Sequence, residues 1–208
     1  EAAETLWSNE WWMDPVFFGK YPEAGVKRFE KYMPPVGADD MALISQPLDF
    51  FGFNAYQGTA VEEKGGAPGD YSWPAGSPKT DMGWRVTPEC LYWGSKFVYE
   101  RYKKPIIVTE NGTATNDWVM TDGRVHDCAR IDFLSRYLSQ FRRAADEGVE
   151  TAGYFVWSLL DNIEWTLGYE KRFGLIYVDY ETQKRTLKDS AYWYKKVIEN
   201  NGSDLSPD

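Results

Sequence analysis

The sequence predicts an α/β fold, a run of βα units from a (β/α)8 TIM barrel. Three observations predict it. Short apolar runs alternate with amphipathic helical stretches, the order that gives parallel strands joined by helical crossovers. Each apolar run ends in side chains able to do chemistry: Asn54 and Tyr56, then Glu110 and Asn111, then Trp157 and Ser158. Barrels and doubly wound sheets both carry sites at the carboxyl ends of their strands, but the second class usually has a Gly-rich phosphate turn. The stretch "TENG" at Thr109–Gly112 is not such a turn.

The elements follow in order. Residues Glu1 to Tyr32 read as a helix and then a loop, the end of an earlier unit. "LDFFGFNAY" (Leu48 to Tyr56), "KPIIVTE" (Lys104 to Glu110) and "AGYFVWS" (Ala152 to Ser158) read as strands buried on both faces. A long Gly- and Pro-rich loop follows the first strand, and another loop follows the third. The first helix opens at Thr87-Pro88, a cap followed by proline, and runs to Tyr102. The second starts near Asp127 and stops before Gly148, with Leu134, Leu138, Phe141 and Ala145 on one stripe. The third spans Leu187 to Asn200, with Ala191, Tyr194, Val197 and Ile198 inward. The last three βα units therefore cover residues 48–102, 104–148 and 152–202.

Composition excludes several classes. The 208 residues include ten Trp and fourteen Tyr, which suits a ring-lined cleft of the kind that stacks on apolar sugar faces, as well as an aromatic core. A formal net charge of −9 argues against a nucleic-acid partner, whose phosphates call for a basic surface. No apolar run reaches membrane-spanning length and no basic-then-apolar leader opens the chain, so a soluble protein with no membrane partner is expected. Cys90 and Cys128 fall in helices without a CxxC, and His126 is the only histidine. That argues against a metal site and against a Ser-His-Asp machine, and nothing calls for a cofactor. Asn111-Gly-Thr and Asn201-Gly-Ser match the glycosylation sequon, leaving secretion open beside a cytosolic setting.

One stretch asks for a ligand. "GYFVWSLLDNIEWTLGYEKRFGL" (Gly153 to Leu175) sets Asp161, Asn162 and Glu164 among Trp157, Trp165 and Phe173. Polar acceptors beside flat rings suit a small hydroxylated molecule better than a core does.

At this point the residues resemble a family. "WWMDPVFFGKYP", "DFFGFNAY", "MGWRVTPECLYW", "PIIVTENG" and "GYFVWSLLDNIEWTLGYEKRFGLIYVD" are similar, in order and spacing, to segments of glycoside hydrolase family 1, the retaining β-glucosidases and β-galactosidases. The resemblance covers nearly the whole chain and implies strands six to eight of the barrel, its carboxyl-terminal part. It implies that Glu110 is the catalytic nucleophile, a carboxylate that forms a covalent glycosyl-enzyme, and that Tyr56 steadies it through a hydrogen bond. Trp157 would lie under the sugar ring, Glu164 and Trp165 would hold its hydroxyls, and Phe173 would close around its exocyclic carbon. Trp84 would meet the leaving group, and Asn54 joins the same binding set. Relatives acting on 6-phosphorylated sugars replace the acid–tryptophan pair with small residues and supply a lysine. Glu164 would repel a phosphate and Trp165 would fill its place, so an unphosphorylated β-glucoside or oligosaccharide is expected, with β-galactosides and β-fucosides tolerated.

A complete barrel has eight strands in about 250 residues, and three are legible. The family's Thr-x-Asn-Glu-Pro segment, carrying the acid/base glutamate, is absent from the sequence. Glu62, Glu63 and Glu89 lie in a loop or at a helix start and are poor substitutes. Two functions follow. One is the carboxyl-terminal portion of a β-glucosidase that works with its amino-terminal portion as partner and is inactive alone. The other is a non-catalytic barrel piece that binds sugar or pairs with another half. The intact set at Glu110, Tyr56 and Glu164 favours the first.

Overall fold

A computed structural model describes residues 8–207. The chain divides into two compact units, Glu1–Phe50 and Phe51–Asp208. In the first, α1 (Asn9–Phe18), α2 (Glu23–Phe29) and α3 (Ala38–Ile44) are short. Trp11 is its buried anchor, with ring centroids 4.8 Å from Tyr21 and 5.3 Å from Phe29. The sequence reading of one helix followed by a loop therefore needs correction. A second helix starts within that stretch, just after Pro22; beyond it, a third opens where the Asp40 carboxylate accepts the Gly37 amide at 2.9 Å. The opening seven residues of that stretch lie outside the described residues.

The second unit carries the site. β1 (Phe51–Asn54), β4 (Ile106–Asn111) and β5 (Thr151–Val156) form a parallel sheet in the order β1-β4-β5, with α4 (Glu89–Tyr102) and α5 (Cys128–Asp146) as the crossovers. Among the described residues this is an open arc rather than a closed barrel. Ile106, Val108, Leu91, Leu134 and Tyr137 form its fully buried centre. The strands are less buried than their composition predicts. Phe155 on β5 is 60% exposed, and β5 pairs along one side only among the described residues.

Several local readings are corrected. The Gly/Pro-rich loop contains a hairpin, β2 (Val61–Lys64) and β3 (Ala67–Asp70), turned by Gly65 and Gly66 at φ +64° and +83°. Two positive φ values in a two-residue loop define the hairpin turn that glycine makes without strain. A second hairpin, β6 (Ile176–Val178) and β7 (Arg185–Leu187), precedes α6 (Asp189–Glu199). Thr87 does not cap α4 with its side chain, because its hydroxyl accepts the Gly58 amide at 2.8 Å instead. On α6 the buried stripe is Ser190, Trp193 and Val197, a 3–4 spacing that leaves Ile198 64% exposed. On α5 Ala144, not Ala145, completes the buried stripe. Among the described residues no helix is long and apolar enough to cross a membrane.

Candidate active site

Strict alternation along β4 would put Glu110 on the face of Ile106 and Val108, both fully buried. The ladder prevents this. Val108 pairs with Phe53, and the next pair is Glu110 with Asn54, so Thr109 is skipped. The bulge exchanges the faces: Asn111 takes the buried side and Glu110 the accessible one. The Glu110 carbonyl still accepts the Ala55 amide at 2.9 Å, and Thr109 donates to Asn54 Oδ1 at 2.7 Å. Glu110 is thus aimed by two strand ends locked together.

Tyr56 completes the pair, donating its hydroxyl to Glu110 Oε2 at 2.7 Å. The other oxygen, Oε1, takes no hydrogen bond among the described residues. Burial, then the bond to Glu110, then the negative charges of Glu110 and Glu164 hold the Tyr56 hydroxyl far above the usual phenol range. It therefore stays a neutral donor. Its backbone is gripped from behind: Tyr137, fully buried on α5, donates to the Tyr56 carbonyl at 3.1 Å and accepts the Thr87 amide at 2.9 Å. Burial pushes the Tyr137 hydroxyl up to about 12. Asn111 donates to the Ala55 carbonyl at 2.6 Å and accepts from Tyr154 at 2.5 Å. That side chain is fully buried and bonded at both its nitrogen and its oxygen, so the amide of the first sequon does not face solvent in the folded chain.

Rings pack around Tyr56. Tyr56 and Trp84 lie 5.2 Å apart, and Phe173 sits 6.2 Å from each. Trp157 reaches the same strand ends, its amide donating to the Asn111 carbonyl at 2.9 Å, and the Trp157–Ser158 peptide is cis. Gly112 is required beneath it, since a Cβ there would stand 1.9 Å from the Trp157 carbonyl oxygen. Glu164 begins the short 3-10 turn Trp165–Leu167 and is near enough for its charge to act on Tyr56. Trp165 is not gathered in: its ring is 87% exposed. Asn54 is exposed beside Thr109. Glu62 lies on β2 rather than in a loop, tied to Lys64 at 2.8 Å, with Glu63 beside it, and Glu89 opens α4; none of the three bonds to Glu110 or Tyr56. A cavity of about 1050 Å³ over the start of α4 and α5 is lined by neither Glu110 nor Tyr56.

Sequence reading missed the charges beneath the site. Arg130 and Lys188 are fully buried. Arg130 bonds to Asp127, to Asp117 at 2.8 Å and to the Arg172 carbonyl at 2.7 Å. Lys188 bonds to Asp117 at 2.6 Å and to Asp161 at 2.7 Å, and Arg172 meets Asp161 at 2.7 Å. Burial is the largest influence on Asp117 and pushes its carboxyl up, but Arg130 and Lys188 outweigh it and hold it low. Burial, aided by Arg130, lowers Lys188 despite its two carboxylates. The sequence carries no local signal for either, because an arginine on an amphipathic helix and a lysine just before one ordinarily read as solvated.

Comparison with known proteins identifies the family. The model of glycosyl hydrolase family 1 matches residues 1–203. Beta-glucosidase A of Thermotoga maritima is 49% identical over 192 residues, which is 91% of this chain and 43% of the relative. Beta-glucosidase A of Acetivibrio thermocellus is 43% identical over 212 residues, 97% and 47% of the two chains. A bifunctional beta-D-glucosidase/beta-D-fucosidase of Bifidobacterium breve is 41% identical over 219 residues, 95% and 48%. The solved Thermotoga maritima beta-glucosidase in complex with deoxynojirimycin superposes with a TM-score of 0.86 at 44% identity, covering 98% of this chain and 46% of that one. The chain spans less than half the length of these relatives. A matched family model over nearly every residue, and this superposition, make the chain a member of glycosyl hydrolase family 1, holding part of its barrel.

Proposed function

We propose that this chain supplies the nucleophile and the sugar-gripping loop of a retaining β-glucosidase, acting on terminal, unphosphorylated β-D-glucosides and their oligosaccharides. The carrying observation is the 2.7 Å bond from Tyr56 to Glu110 at the paired ends of β1 and β4. Glu110 attacks the anomeric carbon as the glycosidic bond breaks, and the leaving oxygen takes a proton from an acid on the remaining part of the barrel, this chain's partner. The resulting glycosyl ester on Glu110 is then broken by water, which loses its proton to the same acid/base group and restores the carboxylate with retention. Tyr56 donates to Oε2 throughout, holding the carboxylate in one orientation for attack. Trp157, Phe173 and Trp84 frame the ring and leaving group, and Glu164 accepts from the sugar hydroxyls with Trp165 beside it. Tolerance of β-fucosides and β-galactosides is supported by a relative named for both glucosidase and fucosidase activity, and by a relative solved with galacto-hydroximolactam.

Covalent trapping tests this reading. A 2-fluoro glucoside inactivator applied to the active assembly should leave one sugar on the peptide containing Glu110, found by mass spectrometry after digestion. A label on any other carboxylate removes Glu110 from the role, and an assembly that neither turns over nor is labelled favours a non-catalytic barrel piece.

A further inference from the structure

Three acids and three bases, Asp127, Arg130, Asp117, Lys188, Asp161 and Arg172, alternate in one continuous chain of ion pairs. All but Arg172 have side chains no more than 3% exposed. Buried ion pairs are weak sources of stability, because apolar residues of equal volume do as well or better. What they do supply is geometry, since each partner accepts few arrangements. The geometry here concerns two loops. Asp117 belongs to the segment that continues from Glu110, and Asp161 to the segment that leads to Glu164 and Phe173. Lys188, immediately before α6, touches both through a single Nζ. Its backbone repeats the arrangement, with the Lys188 amide donating to the Leu175 carbonyl and the Asp189 amide to the Val125 carbonyl, each at 3.0 Å. Arg130 and Thr115 add direct ties from the first loop's side to the Arg172 carbonyl.

We propose that Lys188 is a positioning residue that sets the spacing between the nucleophile's segment and the sugar-gripping loop, and thereby the preference for a full hexose. The proposal rests on the β-glucosidase reading and concerns its selectivity. If the ammonium sets where Glu164 and Phe173 stand relative to Glu110, loosening it harms recognition of the hydroxyl and exocyclic groups more than recognition of the bare ring.

The test uses the double variant Lys188→Met/Asp117→Asn in the active assembly, because removing lysine alone leaves an uncompensated buried carboxylate and risks the fold. Two quantities are read: kcat/KM for an aryl β-glucoside over that for the corresponding β-xyloside, which lacks the exocyclic carbon, and amide exchange in residues 112–127 and 159–175. The expected result is a glucoside-to-xyloside ratio lowered about fivefold or more, with faster exchange in both loops. A ratio unchanged while both substrates slow in proportion gives Lys188 a purely structural role and overturns the proposal. If the wild type hydrolyses neither substrate, the β-glucosidase reading fails, and unchanged exchange in the variant then overturns the loop-spacing role independently.

Discussion

The hydroxyl of Tyr56, in the turn after β1, donates to Glu110 Oε2 on β4 across 2.7 Å, so the ends of two parallel strands are tied through the carboxylate itself. Burial and two carboxylates keep that hydroxyl protonated well past the ordinary phenol range. Tyr56→Phe should therefore lower kcat/KM about 10- to 100-fold, the loss expected when a hydrogen bond to a charged group is removed. The tyrosinate difference spectrum between wild type and variant should stay flat through about pH 10. A titration there would show that Tyr56 is not the buried donor described.

Glu164→Ala should weaken transition-state binding by about 2–3 kcal/mol for glucoside and galactoside alike, because charge-assisted bonds to the hydroxyls are lost. Steady-state kinetics on both aryl glycosides measure it. A specificity constant within twofold of wild type would remove Glu164 from the pocket.

Gly112→Ala meets a backbone oxygen rather than a side chain that can swing away, at a built Cβ separation of 1.9 Å. Its cost should be about 3 kcal/mol or more, beyond ordinary overpacking, seen as a lower denaturant midpoint. A midpoint equal to wild type would mean that β4 and the Trp157 turn are not in this contact.

Lys96, Tyr92 and Arg143 surround Glu147 and hold its carboxyl down at about 2, the bond from Lys96 being the largest influence. A depressed carboxylate stabilises the fold above its unfolded value, about 4.3, and loses that contribution as pH falls toward 2. Glu147→Gln should accordingly melt below wild type at pH 7, and the gap should close as the buffer is taken from about pH 4.5 to pH 2. Melting curves across that range decide it, and a gap independent of pH would refute the sign.

Purified alone, the chain should hydrolyse no aryl β-glucoside and should associate. The free side of β5 borders an apolar groove of about 730 Å³ lined by Phe155, Leu159, Leu187 and Ile198, all exposed, and open edges with apolar faces promote association. Light scattering and an activity assay, with and without a matching amino-terminal portion, test both halves of the statement. Unaided turnover by a monodisperse monomer would mean that an acid within these residues does the protonation, with Glu89 and Glu164 the first to replace.

The three strands of the parallel sheet and the three helices of the second unit were legible because apolar runs and 3–4 stripes are local signals, and Glu110 was legible because it ends such a run. The skipped residue at Thr109 was not, since a bulge depends on how β1 and β4 pair and leaves no mark on β4 alone. Arg130 and Lys188 were invisible for a different reason. Charged residues ordinarily stay wet, and only their placement opposite Asp117 and Asp161 allows burial. The hairpin at Gly65-Gly66 leaves its mark in the two glycines, but the prolines around them read as loop. On α6 the buried stripe falls one position before the expected Ala191 and Tyr194, at Ser190 and Trp193, and Ile198 stays outside the core.

The placement of Lys188 also bears on how the molecule is made. Synthesis runs from the amino terminus, so β4 and Glu110 leave the ribosome long before the residue that ties their loop to the one after β5. Until α6 emerges, a nascent chain carries the nucleophile without the clasp that frames it. Stalled chains ending before Lys188 should expose residues 112–127 to protease, and chains carrying an added tail long enough for Asp189–Glu199 to emerge should protect them. Equal cleavage of the two would show that the loops order themselves without α6.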